Sequence, residues 1–600
     1  GVTFAYLPYT HDFYNDVSAQ RVSAGLRGEI TSDWSWETGV VYSNSDLQQQ
    51  QRNLIYKPNV ARAIAGGFDS SGNAVVGGHY SKVYSGYSLS GPPVLVPALD
   101  PFALAAGVDP GALTNLYGTE LIDASSKLTS FDAKVVGQLF ALPAGEIAIA
   151  LGGSARRESV SGHTDPNGRV TDPTTGSTTG NDQQWLGGTY ADPFSKSRDI
   201  YGVFTELRIP ITSEKWNFAG AHAFDLTLSG REEKYSDIGS SFVPKVGFRW
   251  EPFDKQFAVR GNYAKSFSAP ALYALFGPTD TRQVGAGVIQ GIFGNNYTGM
   301  PINGEDGNNP NLKPAKSTSK LLGFTVRPDF AQGLSLSADY SDIKLKGFAG
   351  GIGFNTILGS INTLGSASPF FSNLAVDAFP GTTGATQPFA HPGDLLAFLT
   401  NAAGKGDPNQ AERLFVVDQF RNLASLQEKS WVISADYVIP TERMGTFKLA
   451  TNGAIFNKFN FQPLPGAAFI EYAGHSNNTG VFGGTLPKYR FYSSLDWAKG
   501  DLDVTVGNTY VSSTTDTGAN GTSTPLIHVS SYSTWDIRMG YDFHAANSGP
   551  LKVVKFGVGV NNIGNRMPPL APRAFLDNNA DVATFSPLGR LIYTTVGVDF

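Results

Sequence analysis

The side chains able to do chemistry in this sequence are charges set at every second position, a spacing that suits a wetted wall better than a reaction centre. Arg21, Arg27, Glu29 and Glu37 open the series, and Lys134, Arg156, Glu206, Arg208, Asp225, Arg231, Glu233, Lys245, Arg249 and Arg260 continue it. Asp339, Asp436, Lys448, Asp496, Asp503, Asp536, Arg538 and Asp542 close it. Both signs occur, so a surface built from them would attract water and polar partners of either charge. Catalytic constellations do not emerge. The sequence holds no H-E-x-x-H zinc helix, no phosphate-binding Walker loop and no G-x-S-x-G elbow. Its eight histidines, at 11, 79, 163, 222, 391, 475, 528 and 544, show no ligand spacing. With no cysteine, thiolate metal sites, disulfides and cysteine nucleophiles are excluded. "GAGVIQG" (285–291) is glycine-rich but lacks a strand-to-helix setting and reads as flexible loop. "NGEDGNNPN" (303–311) offers two acids and several amides to a calcium ion, yet reads better as a solvated turn. No catalytic, cofactor or metal residue is therefore expected, and ligand contacts stay unassigned because the loops that would supply them fix no geometry.

The elements that position the charges are strands. Successive side chains of a strand point to opposite faces, so period-two alternation is the signature of a sheet with unlike faces. In "RVSAGLRGEI" one face is Val22, Ala24, Leu26, Gly28 and Ile30, opposite Arg21, Ser23, Gly25, Arg27 and Glu29. "DWSWETGVVYS" follows after Thr31 and Ser32, a hairpin, and repeats the scheme with Trp34, Trp36, Thr38, Val40 and Tyr42 on its apolar face. "WDIRMGYDF" sets Trp535, Ile537, Met539, Tyr541 and Phe543 against Asp536, Arg538, Gly540 and Asp542.

The connections separate a soluble sandwich from a membrane barrel. Short links at 143–145, 251–256, 327–333 and 498–501 alternate with long ones at 45–127, 159–197, 267–316, 348–429, 462–487 and 562–588. Tight turns on one side and long loops on the other are what a transmembrane β-barrel has. Trp34, Trp36, Trp250 and Trp497 sit beside short turns, where an interfacial aromatic girdle belongs. Composition agrees: 69 glycines in 600 residues and 12% aromatics against 16% charged residues, where soluble domains carry roughly 25%. No run is long and apolar enough for a membrane helix, and a net charge of −6 offers no basic surface for nucleic acid. The expected fold is an all-β, antiparallel transmembrane barrel with long extracellular loops and short periplasmic turns. About seventeen strands are expected, beginning near 20, 33, 128, 145, 198, 222, 242, 256, 317, 333, 430, 446, 488, 501, 530, 551 and 589. "VTFAYLPY" could add an eighteenth, and "ERLFVVDQFRNLASLQEKS" inside 348–429 could add a further arm. With both ends periplasmic an even number is required, so an odd number of strands is expected to be missing from the beginning.

"RGNYAKSFSAPALYALFG" (260–277) and "NNPNLKPAKSTSKLLGFTVRPDFAQGLSLSADYSDIKLKG" (308–347) resemble the C-terminal barrel of TonB-dependent outer-membrane receptors. "VKFGVGVNNIGNRMPP" (554–569) is similar to that family's penultimate strand and "YTTVGVDF" to its closing strand with a terminal aromatic. Ala315 departs from the pattern, standing where the family usually has an acid. The resemblance implies 22 strands around an N-terminal plug, and a TonB box that couples the plug to the inner-membrane energy-transducing complex. Residues 1–600 would then be one barrel domain, N-terminally truncated, without plug or TonB box. The implied function is import of a bulky, scarce solute: a siderophore, a corrinoid or an oligosaccharide. The alternative is a plugless passive porin of about 18 strands. The implied partners are outer-membrane lipid and lipopolysaccharide, the TonB complex through the missing N-terminal region, and a small-molecule ligand, with the protein a monomer in the cell outer membrane. The closing strand would place Val596, Val598 and Phe600 toward lipid, and Thr595 and Asp599 toward the lumen.

Overall fold

In lipid a strand has no water to satisfy its amides, so each must pair along its full length with neighbours. The computed structural model shows that arrangement. It describes residues 11–599 except 57–66, 69–73, 76–116, 166–168, 172–177, 184, 187–192, 217–219, 285–301, 378–385, 389–413, 424, 463–466, 478–483, 519–524, 545–551 and 576–578. Seventeen long strands run in chain order: β1 (Asp12–Thr31), β2 (Trp34–Tyr56), β3 (Tyr117–Leu142), β4 (Gly145–Thr164), β5 (Phe194–Thr212), β6 (Ala223–Tyr235), β7 (Gly239–Glu251), β8 (Phe257–Ser268) and β9 (Ala315–Val326). They continue as β10 (Leu334–Lys346), β11 (Ser425–Thr441), β12 (Gly445–Gln462), β13 (Tyr489–Lys499), β14 (Leu502–Val511), β15 (Tyr532–His544), β16 (Val553–Asn561) and β17 (Leu591–Asp599). Each is antiparallel to the next, an unbroken meander from β1 to β17. Among the described residues β1 pairs along its length only with β2 and β17 only with β16.

Register carries the apolar alternation from strand to strand. Tyr42 lies opposite Val22 and Thr129, Val40 opposite Ala24 and Phe131, and Trp36 opposite Gly28 and Val135. At the other end of the sheet Met539 lies between Val504 and Val558, and Tyr541 between Leu502 and Phe556. Much of this face is exposed, as Leu26, Val203 and Val596 show at 68%, 63% and 70%. On β2 it runs from Trp34 to Tyr42, matching the nine to eleven or so residues that cross a bilayer.

Two sequence expectations change. The first concerns length: 45–56 and 117–127 belong to β2 and β3, of 23 and 26 residues, rather than to a loop. At about 3.3 Å per residue β3 is some 85 Å long, so these hairpins stand far out of the membrane. Their outer parts are polar on both faces, as in "QQQQ" at 48–51, and so lack the alternation that marks a half-buried strand. The second concerns rhythm: β6 and β7 are joined at the long-loop end by only 236–238. There the Ser236 amide donates to the Asp199 carbonyl (3.0 Å), which ties the tight turn to β5. The arm proposed inside 348–429 adds nothing to the barrel, because Leu414–Gln419 pairs outside the large sheet.

The inner girdle fastens the short turns. Trp250 donates from Nε1 to the Gly220 carbonyl (2.9 Å) and Trp497 to the Met444 carbonyl (2.6 Å). Each indole presents its apolar body to the membrane interface and spends its single donor on a turn carbonyl. Trp497→Phe keeps the ring and loses that bond, which is worth about 1 kcal/mol. Urea unfolding from liposomes should show a destabilisation of that size, and Trp36→Phe, whose indole reaches no such turn carbonyl, should show a smaller one.

Candidate functional site

The face opposite the apolar one is built of cross-strand ion pairs. All the alternating charges named above share this polar side by register, and many meet. Lys134 reaches Glu37 (2.9 Å), Arg208 reaches Asp225 (2.8 Å), and Arg538 reaches Asp503 (2.5 Å). Arg260 grips Asp339 through Nε (2.8 Å) and a terminal nitrogen (2.5 Å), spanning β9, which lies between them. That span requires Gly323 on β9: a Cβ there would collide with the Asp339 carboxylate.

Toward the outer end the network thickens across β4, β5 and β6. Arg198, 8% exposed, donates from Nε (2.9 Å) and a terminal nitrogen (2.7 Å) to one oxygen of Glu158. Its other terminal nitrogen donates to the Pro270 carbonyl (2.8 Å), and its plane lies 5.3 Å from the Tyr235 ring. Glu233 accepts from Arg231 (2.8 Å) and from the Tyr235 hydroxyl (2.8 Å). Sequence reasoning missed Arg198 and Glu158 as a pair, because their meeting depends on the register between β4 and β5.

Pro270 belongs to the "SFSAPALYALFG" segment, whose role here is architectural. Leu272–Phe276 forms a short helix, α1, with Leu275 1% exposed and packed with Ala274 and Leu312. The "NNPNLKP" segment closes over it. Asn309 donates from its backbone to the Ala274 carbonyl (2.9 Å) and from its side chain to the Phe420 carbonyl (2.8 Å). Asn422 then fastens Lys313 by accepting from its amide (2.9 Å) and donating to its carbonyl (2.6 Å).

The long outer connections are knitted together. Ile302–Gly307 pairs antiparallel with Asp280–Val284 and parallel with Leu414–Gln419, which also pairs with Leu374–Asp377. The 303–311 segment is thus strand through Gly307, a correction to the solvated turn expected. The 348–429 connection, read from the sequence only as a long link, holds the helix α2 (Phe354–Leu364) and a core of Ile357, Leu358, Ile361, Leu374 and Val416, each 2% exposed or less. This core packs on Phe461 of β12 and on Tyr472 of the next connection. Asp418 accepts from the Ile352 (2.9 Å) and Gly353 (2.7 Å) amides at the start of α2, where a carboxylate also complements the helix dipole. Further along, His475–Asn477 pairs parallel with Thr514–Gly518, which joins the 463–488 and 512–531 connections. The connection after β16 is pinned twice. Asp516 accepts from the Arg573 amide (2.9 Å), and Asp581 accepts from the amides of Thr485 (2.8 Å), Ala583 (3.0 Å) and Thr584 (3.1 Å).

The isolated motifs resolve as follows. "GAGVIQG", His79 and His391 lie outside the described residues. His163 and His544 approach Asp123 (3.3 Å) and Asp501 (3.1 Å). Among the described residues, Glu214, His222 and Glu251 bring ligand atoms within 4.8 Å of one another where the β5–β6 turn meets the end of β7. Both acids there already have cations, Arg249 on Glu251 and Lys255 on Glu214 (3.0 Å). On β17, Thr595 and Asp599 lie on the polar side, where Asp599 meets Lys555 (2.8 Å), while Val596 and Val598 are exposed on the apolar side. Phe600 lies outside the described residues.

An apolar outer belt, a charged inner wall and loops folded into a rim at one end define a membrane β-barrel. Residues 1–563 match the family model described as TonB dependent receptor-like, beta-barrel, and the chain belongs to that family. It is an outer-membrane barrel of a receptor family and not an enzyme. It is 30% identical over 145 residues to the iron-regulated outer membrane virulence protein of Vibrio cholerae, covering 23% of this chain and 19% of that one. Its fold is similar to the siderophore receptor PirA of Acinetobacter baumannii, with a TM-score of 0.54 and 14% identity over 98% of this chain and 63% of that one. A mutant of the ferric enterobactin receptor PfeA of Pseudomonas aeruginosa gives 0.56 and 17% over 98% and 62%. The chain therefore spans under two thirds of the length of each of these relatives.

Two measurements probe the rim. Arg198→Leu leaves Glu158 without its buried partner and frees Pro270, at a cost of about 3 kcal/mol; limited proteolysis should then cut near α1, where the parent protein resists. Burial alone would raise the Asp581 carboxyl, but hydrogen bonds from Thr584 and Thr485 outweigh it and hold it below the ordinary range. A depressed folded-state pKa contributes stability above the unfolded value of about 4, lost as pH falls through the folded value. Protease sensitivity of 562–590 should accordingly rise in acid below about pH 4, and Asp581→Asn should make it high at every pH.

Proposed function

We propose that this barrel is the translocation unit of a TonB-dependent importer that captures a bulky, scarce solute at its outer rim, with ferric siderophores as the class. The observation that carries the proposal is the rim itself. Connections from 269 to 590 are joined by two small sheets, a buried core and capped carboxylates into one scaffold over a charged lumen. A rim prepared this way suits recognition of a bulky ligand at little ordering cost. The relatives named as siderophore receptors and as iron-regulated support the ligand class. The ion-paired lumen suits a polar plug domain, held by hydrogen bonds and salt bridges. We propose further that such a plug, and strands pairing with the free edges of β1 and β17, complete the barrel, which acts as a monomer and engages the TonB complex through the plug region.

The test is uptake by cells carrying the complete gene, with radiolabelled ferric catecholates, ferric hydroxamates, corrinoids and oligosaccharides supplied separately. Uptake of a ferric siderophore that stops when TonB is deleted is the expected result. Preference for a corrinoid or glycan would overturn the ligand class. TonB-independent uptake with a steady open conductance in planar bilayers would make the protein a passive porin.

A further inference from the structure

Above the aromatic level of the lipid face, β8 to β12 carry an unusual density of lysine. Leu322, Tyr340, Trp431 and Ile455 lie in one cross-strand row, with the Tyr340 and Trp431 rings 5.1 Å apart. Two residues further out on the same face, the next row is Tyr263, Lys320, Asp342, Lys429 and Lys458. The row after that includes Lys265, Thr318 and Lys344, and beyond it Lys316 stands directly opposite Lys346. Seven lysines thus face two carboxylates: Asp342, which Lys429 approaches at 3.7 Å, and Glu471 at the far end of the Lys344 row, which accepts from the Phe459 and Ala473 amides. Lys316, Lys320, Lys344 and Lys346 make no ion pair among the described residues and, with Tyr263 and Asp342, line an open cup of about 390 Å³. Like charges directly opposite on neighbouring strands repel, and among the described residues no carboxylate pairs with either member of the Lys316–Lys346 pair. The β1–β4 side differs in carrying acids as well as lysine beyond its apolar belt: Asp16, Asp46 and Asp123 share that face with Lys127.

We propose that this cup binds the phosphorylated headgroup of an outer-leaflet glycolipid. The height fits, because the lysines begin at the row of Tyr263, next beyond the exposed Leu322 and Phe324, the level at which a lipid keeps its phosphates while its chains lie along those two side chains. The chemistry fits as well. Several ammonium groups spread over about three rows match two phosphates on one sugar headgroup, and such contacts remove the repulsion the protein leaves unrelieved. Asp342 sets a lower bound on the pairing, holding Lys429 toward itself and leaving the other lysines to the lipid. The proposal rests on the outer-membrane placement of the barrel, which bilayer insertion reports separately.

Native mass spectrometry of the full chain in detergent tests it, with diphosphorylated lipid A, the same lipid after phosphatase treatment, and inorganic phosphate as probes. The parent protein should retain the diphosphorylated lipid about tenfold or more better than the dephosphorylated form, and inorganic phosphate should not displace it. The quadruple variant Lys316→Gln, Lys320→Gln, Lys344→Gln, Lys346→Gln should lose that preference. A charge-matched control at the short-turn rim, Lys215→Gln, Lys255→Gln, Lys499→Gln, Lys552→Gln, should keep it. Equal retention of the two lipids by the parent protein overturns the proposal even if the quadruple variant does not fold. Displacement by inorganic phosphate reduces the cup to a simple anion site and overturns it too, as does a folded quadruple variant that binds like the parent.

Discussion

Backbone amides in hydrocarbon have no partner but each other, and every other property of this molecule follows from that. It forces the strands into one continuous ladder, and the ladder fixes which side chains see lipid and which see the lumen. Once register is fixed, charge placement follows without further specification. Arg260 meets Asp339 across Gly323 because two neighbouring ladders set them level. The same rule turns the lysines of β9 and β10 outward, on the face that begins with Leu322 and Phe324 nearer the membrane centre.

Above the membrane the constraint relaxes and a different source of order takes over. The described core clusters lie at the outer end of the barrel, around α2, around α1 and around Phe585 packed on Val511 and Tyr532, where water is available to be excluded. Burial of Ile357, Leu358, Ile361, Leu374 and Val416 there supplies what lipid supplies lower down, a reason for one conformation to win. Capped carboxylates add direction. Asp418, Asp516 and Asp581 each accept two or three amide bonds, at least one of them from a distant segment, so each fixes where one connection crosses another.

Alternation made the barrel legible in the sequence. All seventeen strands could be located from it, most within a few residues, because lipid on one face and water on the other impose the cleanest period-two signal a chain can carry. The signal failed where its cause did: β2 and β3 continue beyond the membrane with water on both faces, so Gln48–Gln51 and their partners showed no contrast. The helix α2 was visible in principle. Phe354, Ile357, Leu358 and Ile361 follow a helical spacing, masked by the glycine and serine around them. What no local reading could reach is the pairing of segments far apart in sequence, such as Arg198 with Pro270, Asn309 with Phe420, or Thr485 with Asp581.

The parallel pairing of Ile302–Gly307 with Leu414–Gln419 bears on how such a surface changes over generations. Outer loops of a bacterial envelope meet phages and antibodies, and substitutions there are the quickest escape. A loop that stands alone can drift freely, but these two share backbone bonds and the clamp through Asn309 and Phe420. An insertion in one shifts the register of the other, so the two segments must vary together or not at all. Exposure alone is therefore a poor guide to mutability on this rim.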